Sequence, residues 1–180
     1  MINKKIARRY AKALMKIGQQ DGNYERYCEE LNIFASLFDK EEKLREVLIN
    51  PVFGIPQRQG VIKGIGNKLG LSQITLNFLH ILVDKNRIRY LPEITSIYQE
   101  LVDEAAGRAR VLLVTAYDLT EDKLQKLTHG LEELVGKKVI MEVERDPALI
   151  GGVVAKVGGM LYDGSVKTQL EILKETLAKR

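Results

Sequence analysis

Few side chains in this 180-residue chain are of types that do chemistry, and their spacing does not assemble them. His80 and His129 are the two histidines and Cys28 is the one cysteine, too few and too scattered for the Cys and His sets that hold zinc. General acid–base catalysis needs titratable groups that converge on one substrate. Asp103-Glu104 and Glu132-Glu133 are adjacent in sequence, so on a helix each pair diverges by about 100° and reads as a solvated face. His80 lies in an apolar run and His129 among ordinary helical residues, with no nucleophile pattern nearby, so a structural or surface role is expected for both. Gly64-Ile65-Gly66-Asn67-Lys68-Leu69-Gly70 superficially resembles a phosphate loop. It has one residue too many for GxGxxG, follows no strand and lacks the Lys-Ser/Thr ending, so a helix end and turn is expected. Gly151-Gly152 could bring backbone close to a phosphate, but no helix starts just behind it to offer N–H groups, and a bend is expected. No catalytic residue, cofactor site or metal site is expected.

Composition agrees. The chain is 45% apolar and 29% charged, enough for an ordinary core and unlike disordered or disulfide-stapled sequences. Its net charge is +4, and residues 1–105 carry 16 basic and 13 acidic side chains against 12 and 11 in residues 106–180. Neither half is strongly basic, whereas a nucleic-acid binder concentrates its charge in a patch. A single cysteine fits a reducing compartment. The apolar run Leu149 to Ala155, glycines included, is far short of the roughly 18 residues of a membrane span. Lys4, Lys5, Arg8, Arg9, Lys12 and Lys16 precede any acid, as in some organelle transit peptides. That segment lacks serine and patterns like a packed helix, so it is expected to stay with the protein.

The elements that must position these residues are mostly helical up to residue 107. Ile6, Tyr10, Ala13, Leu14 and Ile17 form one apolar stripe with the basic residues largely opposite. After the turn-forming Asp21-Gly22-Asn23, Tyr24, Tyr27, Cys28, Leu31, Phe34, Ala35 and Phe38 repeat the pattern, which buries Cys28. A short helix with Leu44, Val47 and Leu48 ends before Asn50-Pro51. A fourth runs from Pro56 to Leu69, although Gly60, Gly64 and Gly66 each cost it about 1 kcal/mol relative to alanine. Ser72 is a plausible N-cap for a fifth helix whose Ile74, Leu76, Phe78, Leu79, Ile81, Leu82 and Val83 surround it. Such a helix is either enclosed by its own domain or shares its outer face with a partner. Pro92 at N1 opens a sixth, with Ile94, Ile97, Tyr98, Leu101, Val102 and Ala105 in register, ending at Gly107.

The period then changes. Val111–Ala116, Val139–Val143 and Val153–Val157 read as strands, with bends at Gly151-Gly152 and Gly158-Gly159. Thr120 caps a helix carrying Leu124, Leu127, Leu131 and Leu134. Asp163-Gly164 reads as a turn before a last helix with Leu170, Leu173 and Leu177 at heptad spacing. The predicted fold is α+β: a six-helix bundle over residues 1–107 and a small α/β domain with a short sheet and a C-terminal helix over residues 108–180.

Arg8-Arg9-Tyr10-Ala11-Lys12-Ala13-Leu14, Asn50-Pro51, Asn86-Arg87, Leu91-Pro92-Glu93-Ile94, Asp146-Pro147-Ala148-Leu149-Ile150-Gly151-Gly152, Asp163-Gly164-Ser165-Val166 and Leu170 together make a chain that resembles the delta subunits of F-type ATP synthases. Their mitochondrial counterpart is the oligomycin-sensitivity-conferring protein. The likeness covers essentially the whole length in the family's order, and the Leu-Ile-Gly-Gly to Asp-Gly-Ser-Val block is its most specific part.

The resemblance implies a non-catalytic stator element that couples proton translocation to ATP synthesis by keeping the head from turning with the rotor. Its N-terminal bundle clasps the N-terminal helix of an alpha subunit of the catalytic head, and its C-terminal domain meets the b subunit of the peripheral stalk. The family's groove lies between the first and fifth helices and maps onto Tyr10, Ala13, Leu14, Leu79 and Leu82. For Tyr10 and Leu14, core packing and partner contact remain equal alternatives. An intradomain role predicts that Leu82→Asp unfolds the bundle; a partner role predicts weaker alpha binding with a cooperative melt. Charge on the first helix, and Lys167, Glu171, Lys174 and Glu175 on the last, would orient the partners. Location is expected to be peripheral, on the cytoplasmic side of a bacterial inner membrane, with membrane association only through the complex and no nucleic acid bound. The alternative is a nucleic-acid-binding adaptor using the first helix's lysines, which would bind RNA or DNA in a salt-dependent way.

Overall fold

Helical periodicity in the first hundred residues becomes six α-helices: α1 (Ile2–Asp21), α2 (Tyr24–Lys40), α3 (Glu42–Ile49), α4 (Ile55–Leu69), α5 (Gln73–Asp84) and α6 (Leu91–Ala105), with a 3-10 turn at Ile88–Tyr90. They are taken from a computed structural model that describes residues 2–157 and 160–178. The Gly158-Gly159 bend lies outside the described residues, as does the side chain of Glu175. Local signals set several boundaries. Ser72 caps α5, its hydroxyl accepting from the Thr75 N–H at 3.3 Å, and Gly70 ends α4 at φ +68°. The glycines of α4 do not shorten it, because α4 packs on α5 and tertiary contact outweighs propensity.

One apolar core joins these helices, and Leu14, Phe34, Phe38, Leu48, Ile62, Leu79, Leu82, Leu91, Ile94 and Tyr98 are wholly enclosed in it. Cys28 is buried there, its thiol 3.0 Å from Gln99 Oε1. Arg58 Nε, His80 Nε2 and Thr95 Oγ1 are enclosed without a hydrogen-bond partner, whereas Glu30 is fully partnered. The buried Glu30 carboxylate accepts from the Ser72 and Thr75 hydroxyls at 2.6 and 2.5 Å and from Arg26 Nε at 2.9 Å. Burial pushes its pKa up, but those donors outweigh it and hold the carboxyl below its ordinary value, so an ionised side chain ties α2 to the start of α5.

The chain divides into compact units at Met1–Val102 and Asp103–Arg180, a few residues before the composition break at Gly107. Asp103, in the last turn of α6, accounts for this. Its buried carboxylate accepts from Arg110 Nε at 3.1 Å and lies 3.8 Å from Arg108 Nε, so that turn is held by the strand that follows. The second unit contains β1 (Arg108–Thr115), α7 (Glu121–Val135), β2 (Lys138–Arg145), a 3-10 turn at Pro147–Leu149, β3 (Val153–Val157), β4 (Met160–Asp163) and α8 (Val166–Ala178). Strand order is β2-β1-β3-β4. β1 and β2 are parallel, which requires the crossover that α7 supplies, whereas β1–β3 and β3–β4 are antiparallel.

Val111 pairs with Met141 and Val157, and Leu113 with Val143 and Ala155. This face packs with Leu124, Leu127, Leu131 and Val135 of α7. Leu134, expected on that stripe, is exposed, because Val135 continues the half-buried row at helical spacing. Thr120 occupies the N-cap position of α7 without a capping side-chain hydrogen bond. β4 is an addition to the sequence reading: its four residues are too few to signal a strand, and pairing with β3 makes them one.

The Leu-Ile-Gly-Gly to Asp-Gly-Ser-Val block is a backbone clasp. Gly152 has φ +81°, and a Cβ there would fall on the Gly164 carbonyl oxygen. Gly164 N donates to Val153 O and Val166 N to Gly151 O, both at 2.9 Å. Asp163 then accepts from Ser165 N and from the Thr168 hydroxyl, each at 2.8 Å, which opens α8. The glycine pair is thus a structural bend, as its lack of a following helix suggested.

Candidate protein-docking site

Among the described residues no group of three or more His, Cys, Asp or Glu side chains is gathered to hold a metal ion. His129 is exposed and 3.3 Å from Glu133, one turn on. His80 is half-buried on α5 with its Nε2 enclosed and without a hydrogen-bond partner. None of the described helices is long and apolar enough to cross a membrane.

What the helical unit does display is two apolar stripes on each of two helices. At about 100° per residue, Ala7, Ala11, Leu14, Met15 and Gly18 of α1 lie in one arc of about 100°, and all are buried. The stripe picked out in the sequence is a different one. Apart from Leu14, its members Ile6, Tyr10, Ala13 and Ile17 lie in a neighbouring arc of about 60° and remain half-buried or exposed. The reason is close packing of small residues: a Cβ on Gly18 would lie 2.7 Å from Tyr24 Cα, so α1 meets α2 along its Ala and Gly side.

α5 is built the same way. Thr75, Leu76, Leu79, Leu82 and Val83 face the core, and Ile74, Phe78 and Ile81, at i, i+4 and i+7, form a second stripe. Its flank meets that of α1, where the Tyr10 ring stands edge-on to Phe78 with centroids 6.4 Å apart and planes at 71°. Ile17 and Ile81 are 43% and 48% exposed. An apolar seam therefore begins at the core's edge, where Tyr10 of α1 meets Phe78 of α5.

This placement sorts the expected groove residues. Tyr10 and Ala13 line the seam. Leu14, Leu79 and Leu82 are at most 1% exposed and pack in the core of the helical unit. Ile17, Ile74 and Ile81 are half-buried or exposed beside them, and the i, i+4, i+7 spacing of Ile74, Phe78 and Ile81 on α5 was legible in the sequence. Lys4, Lys5, Arg8, Arg9, Lys12 and Lys16 are exposed on α1. The first three line a basin of about 630 Å³ together with Glu93 and Glu100 of α6, so acids partly balance that end of the basic face.

Comparison with known proteins identifies the family. A family model described as ATP synthase delta (OSCP) subunit matches residues 6–177. ATP synthase subunit delta of Desulfatibacillum aliphaticivorans is 45% identical over 179 residues, 99% of this chain and 98% of its own. That of Desulfosudis oleivorans is 44% identical with the same coverage, and that of Myxococcus xanthus is 38% identical over the whole of both chains. A chain of the cryo-EM structure of the Toxoplasma gondii mitochondrial ATP synthase hexamer shares the fold, with a TM-score of 0.75 over 96% of this chain and 97% of its own at 19% identity. No finding supports the nucleic-acid alternative. The chain belongs to the ATP synthase delta (OSCP) subunit family and is a non-catalytic component of the peripheral stalk of an F-type ATP synthase.

Proposed function

We propose that the helical unit holds the N-terminal helix of one alpha subunit in the α1–α5 seam, while the second unit meets the b subunit, so that the chain links the catalytic head to the peripheral stalk. The observation that supports the reading is the second apolar stripe on α1 and α5, where Tyr10 and Ile74 pack against the core while half-buried and Ile17 and Ile81 stay exposed. An amphipathic helix laid along that seam would cover it through i, i+3, i+4 and i+7 contacts. Tyr10, edge-on to Phe78, gives the seam a fixed floor, and Ile17 and Ile81 are its accessible walls. The domains of the proposed link are those expected from the sequence, residues 1–107 and 108–180, with the six helices as the head-binding bundle. The protein would then sit peripherally on the cytoplasmic side of the inner membrane, held there by its partners.

Such a connector needs slow dissociation under load, and affinity differences of this kind reside mainly in the off-rate. Titration of the full chain with a peptide of the alpha-subunit N-terminus tests the head contact: saturable binding is expected, weakened by Ile81→Asp. Absence of binding at about 50 μM, equivalent to less than about 6 kcal/mol, would overturn it.

A further inference from the structure

Among the described residues, α8 is anchored at its beginning. Its first turn is held by Asp163, Ser165 and the Gly151 carbonyl, and its described apolar side chains, Val166, Leu170, Ile172, Leu173 and Leu177, are all between 37% and 63% exposed. A 13-residue helix without packing along its length is marginal in water. Four of these residues, Val166, Leu170, Leu173 and Leu177, follow the 4-3-4 spacing of a coiled-coil seam. About 80° to one side stand Lys167 and Lys174, and about 80° to the other Gln169 and Thr176.

The chain just before α8 adds to this surface. Ile150 has φ +65°, a rare conformation for a β-branched residue, and its side chain is 56% exposed. The next residue, Gly151, abuts Val166 at the head of the seam: a Cβ there would lie 3.0 Å from Val166 Cγ2. Strain of this kind persists only where surrounding structure imposes it, and here the Gly151–Val166 clasp does so.

We infer that the α8 seam is a coiled-coil half-site whose partner is an amphipathic helix with Leu-like residues at heptad spacing and acidic side chains beside them. This deepens the stalk contact proposed above and rests on it. The flanking charge selects the partner's sign, because Lys167 and Lys174 border the seam with no acid on its opposite border. A second copy of this chain fits poorly. Antiparallel pairing would set Lys against Lys, and parallel pairing would set Lys against Gln and Thr.

The probes are two labelled heptad peptides with Leu at both core positions, one with Glu at both flanking positions and one with Lys. Titrated against the full chain by fluorescence anisotropy, the Glu peptide should bind at least tenfold more tightly than the Lys peptide. Leu173→Asp should weaken it at least tenfold with the melting temperature unchanged, since Leu173 is already exposed. The Lys167→Glu, Lys174→Glu double variant should reverse the preference. Ile150→Gly, which suits the positive φ, should weaken binding severalfold without lowering the melting temperature. Equal binding of both peptides, binding of neither, or indifference to Leu173→Asp would overturn the inference. So would sedimentation that shows a dimer dissolved by Leu173→Asp. Titration with the soluble part of the b subunit separates the two claims: if Leu173→Asp binds b as well as the original chain, the seam is wrong and the stalk contact stands; if neither binds b, the stalk contact itself falls.

Discussion

Replacing neighbouring residues Ile81 and Leu82 by aspartate separates the core of the helical unit from its proposed docking seam. The two positions are one residue apart on α5 yet differ in exposure, 48% against 0%. Leu82→Asp removes a fully enclosed side chain, which costs about 2–5 kcal/mol. The carboxyl left in its place must ionise in an apolar site or take up a proton; a pKa raised by about 3 units adds about 4 kcal/mol at pH 7. The sum, about 6–9 kcal/mol, is comparable with the whole stability of a small domain, about 5–15 kcal/mol. Ile81→Asp forfeits about half of the roughly 1.5–3 kcal/mol that burying an isoleucine contributes, with up to about 1 kcal/mol more for an acid in the last turn of a helix. Calorimetry should therefore show the cooperative transition of the helical unit abolished by Leu82→Asp and only lowered, by about 5–15 °C, by Ile81→Asp. Titration of the still-folded Ile81→Asp chain with the alpha-subunit peptide should show at least tenfold weaker binding. A near-normal melt for Leu82→Asp would contradict the assignment of that residue to the core. Undiminished peptide affinity in Ile81→Asp would remove the seam as the docking surface.

Glycines on the helices should respond in opposite directions to alanine. Gly60 and Gly64 have open space where a Cβ would go, so each substitution should stabilise by about 0.5–1 kcal/mol; Gly18→Ala, pressed against Tyr24 backbone, should destabilise by about 1–3 kcal/mol, and a rise in its melting temperature would be inconsistent with the α1–α2 contact described. Glu30 makes the helical unit acid-sensitive. Its folded pKa lies below the ordinary 4.5, so its contribution is complete above that value and is lost as pH falls through the folded value. Melting temperatures followed from pH 7 down to about pH 3 should drop more steeply for the unaltered chain than for Glu30→Gln. Gly152→Ala combines an unfavourable φ with a clash on the Gly164 carbonyl and should cost the second unit at least about 2 kcal/mol, read as lost amide protection in β3 and α8. Normal protection there would refute the clasp.

Much of the fold was legible because it depends on neighbours in the chain. Turn i to i+4 spacing placed all eight α-helices, the Ser72 hydroxyl marked the start of α5, and the switch to short β-branched runs near Val111, Val139 and Val153 marked three strands. β4 was not legible, since Met160–Asp163 becomes a strand only through its hydrogen bonds to β3. Leu134 and Val135 show the same limit, because both fit a helical apolar pattern and only packing on the sheet chose between them.

The candidate site divides likewise. Sequence by itself determined that α5 carries more apolar surface than one core face needs, that α1 is amphipathic with its cations opposite the apolar stripe, and that His and Cys are too sparse for the usual zinc ligand sets. Which stripe of each helix turns inward was decided by tertiary structure. Hydrophobicity favours Ile6, Tyr10 and Ile17 for the interior of α1, yet Ala7, Ala11 and Gly18 go there because small side chains let two helix backbones approach closely, and close packing outweighs the transfer energy of any one larger residue. That choice leaves Tyr10 and Ile74 half-buried against the core and Ile17 and Ile81 exposed, and encloses Leu14, Leu79 and Leu82 within it.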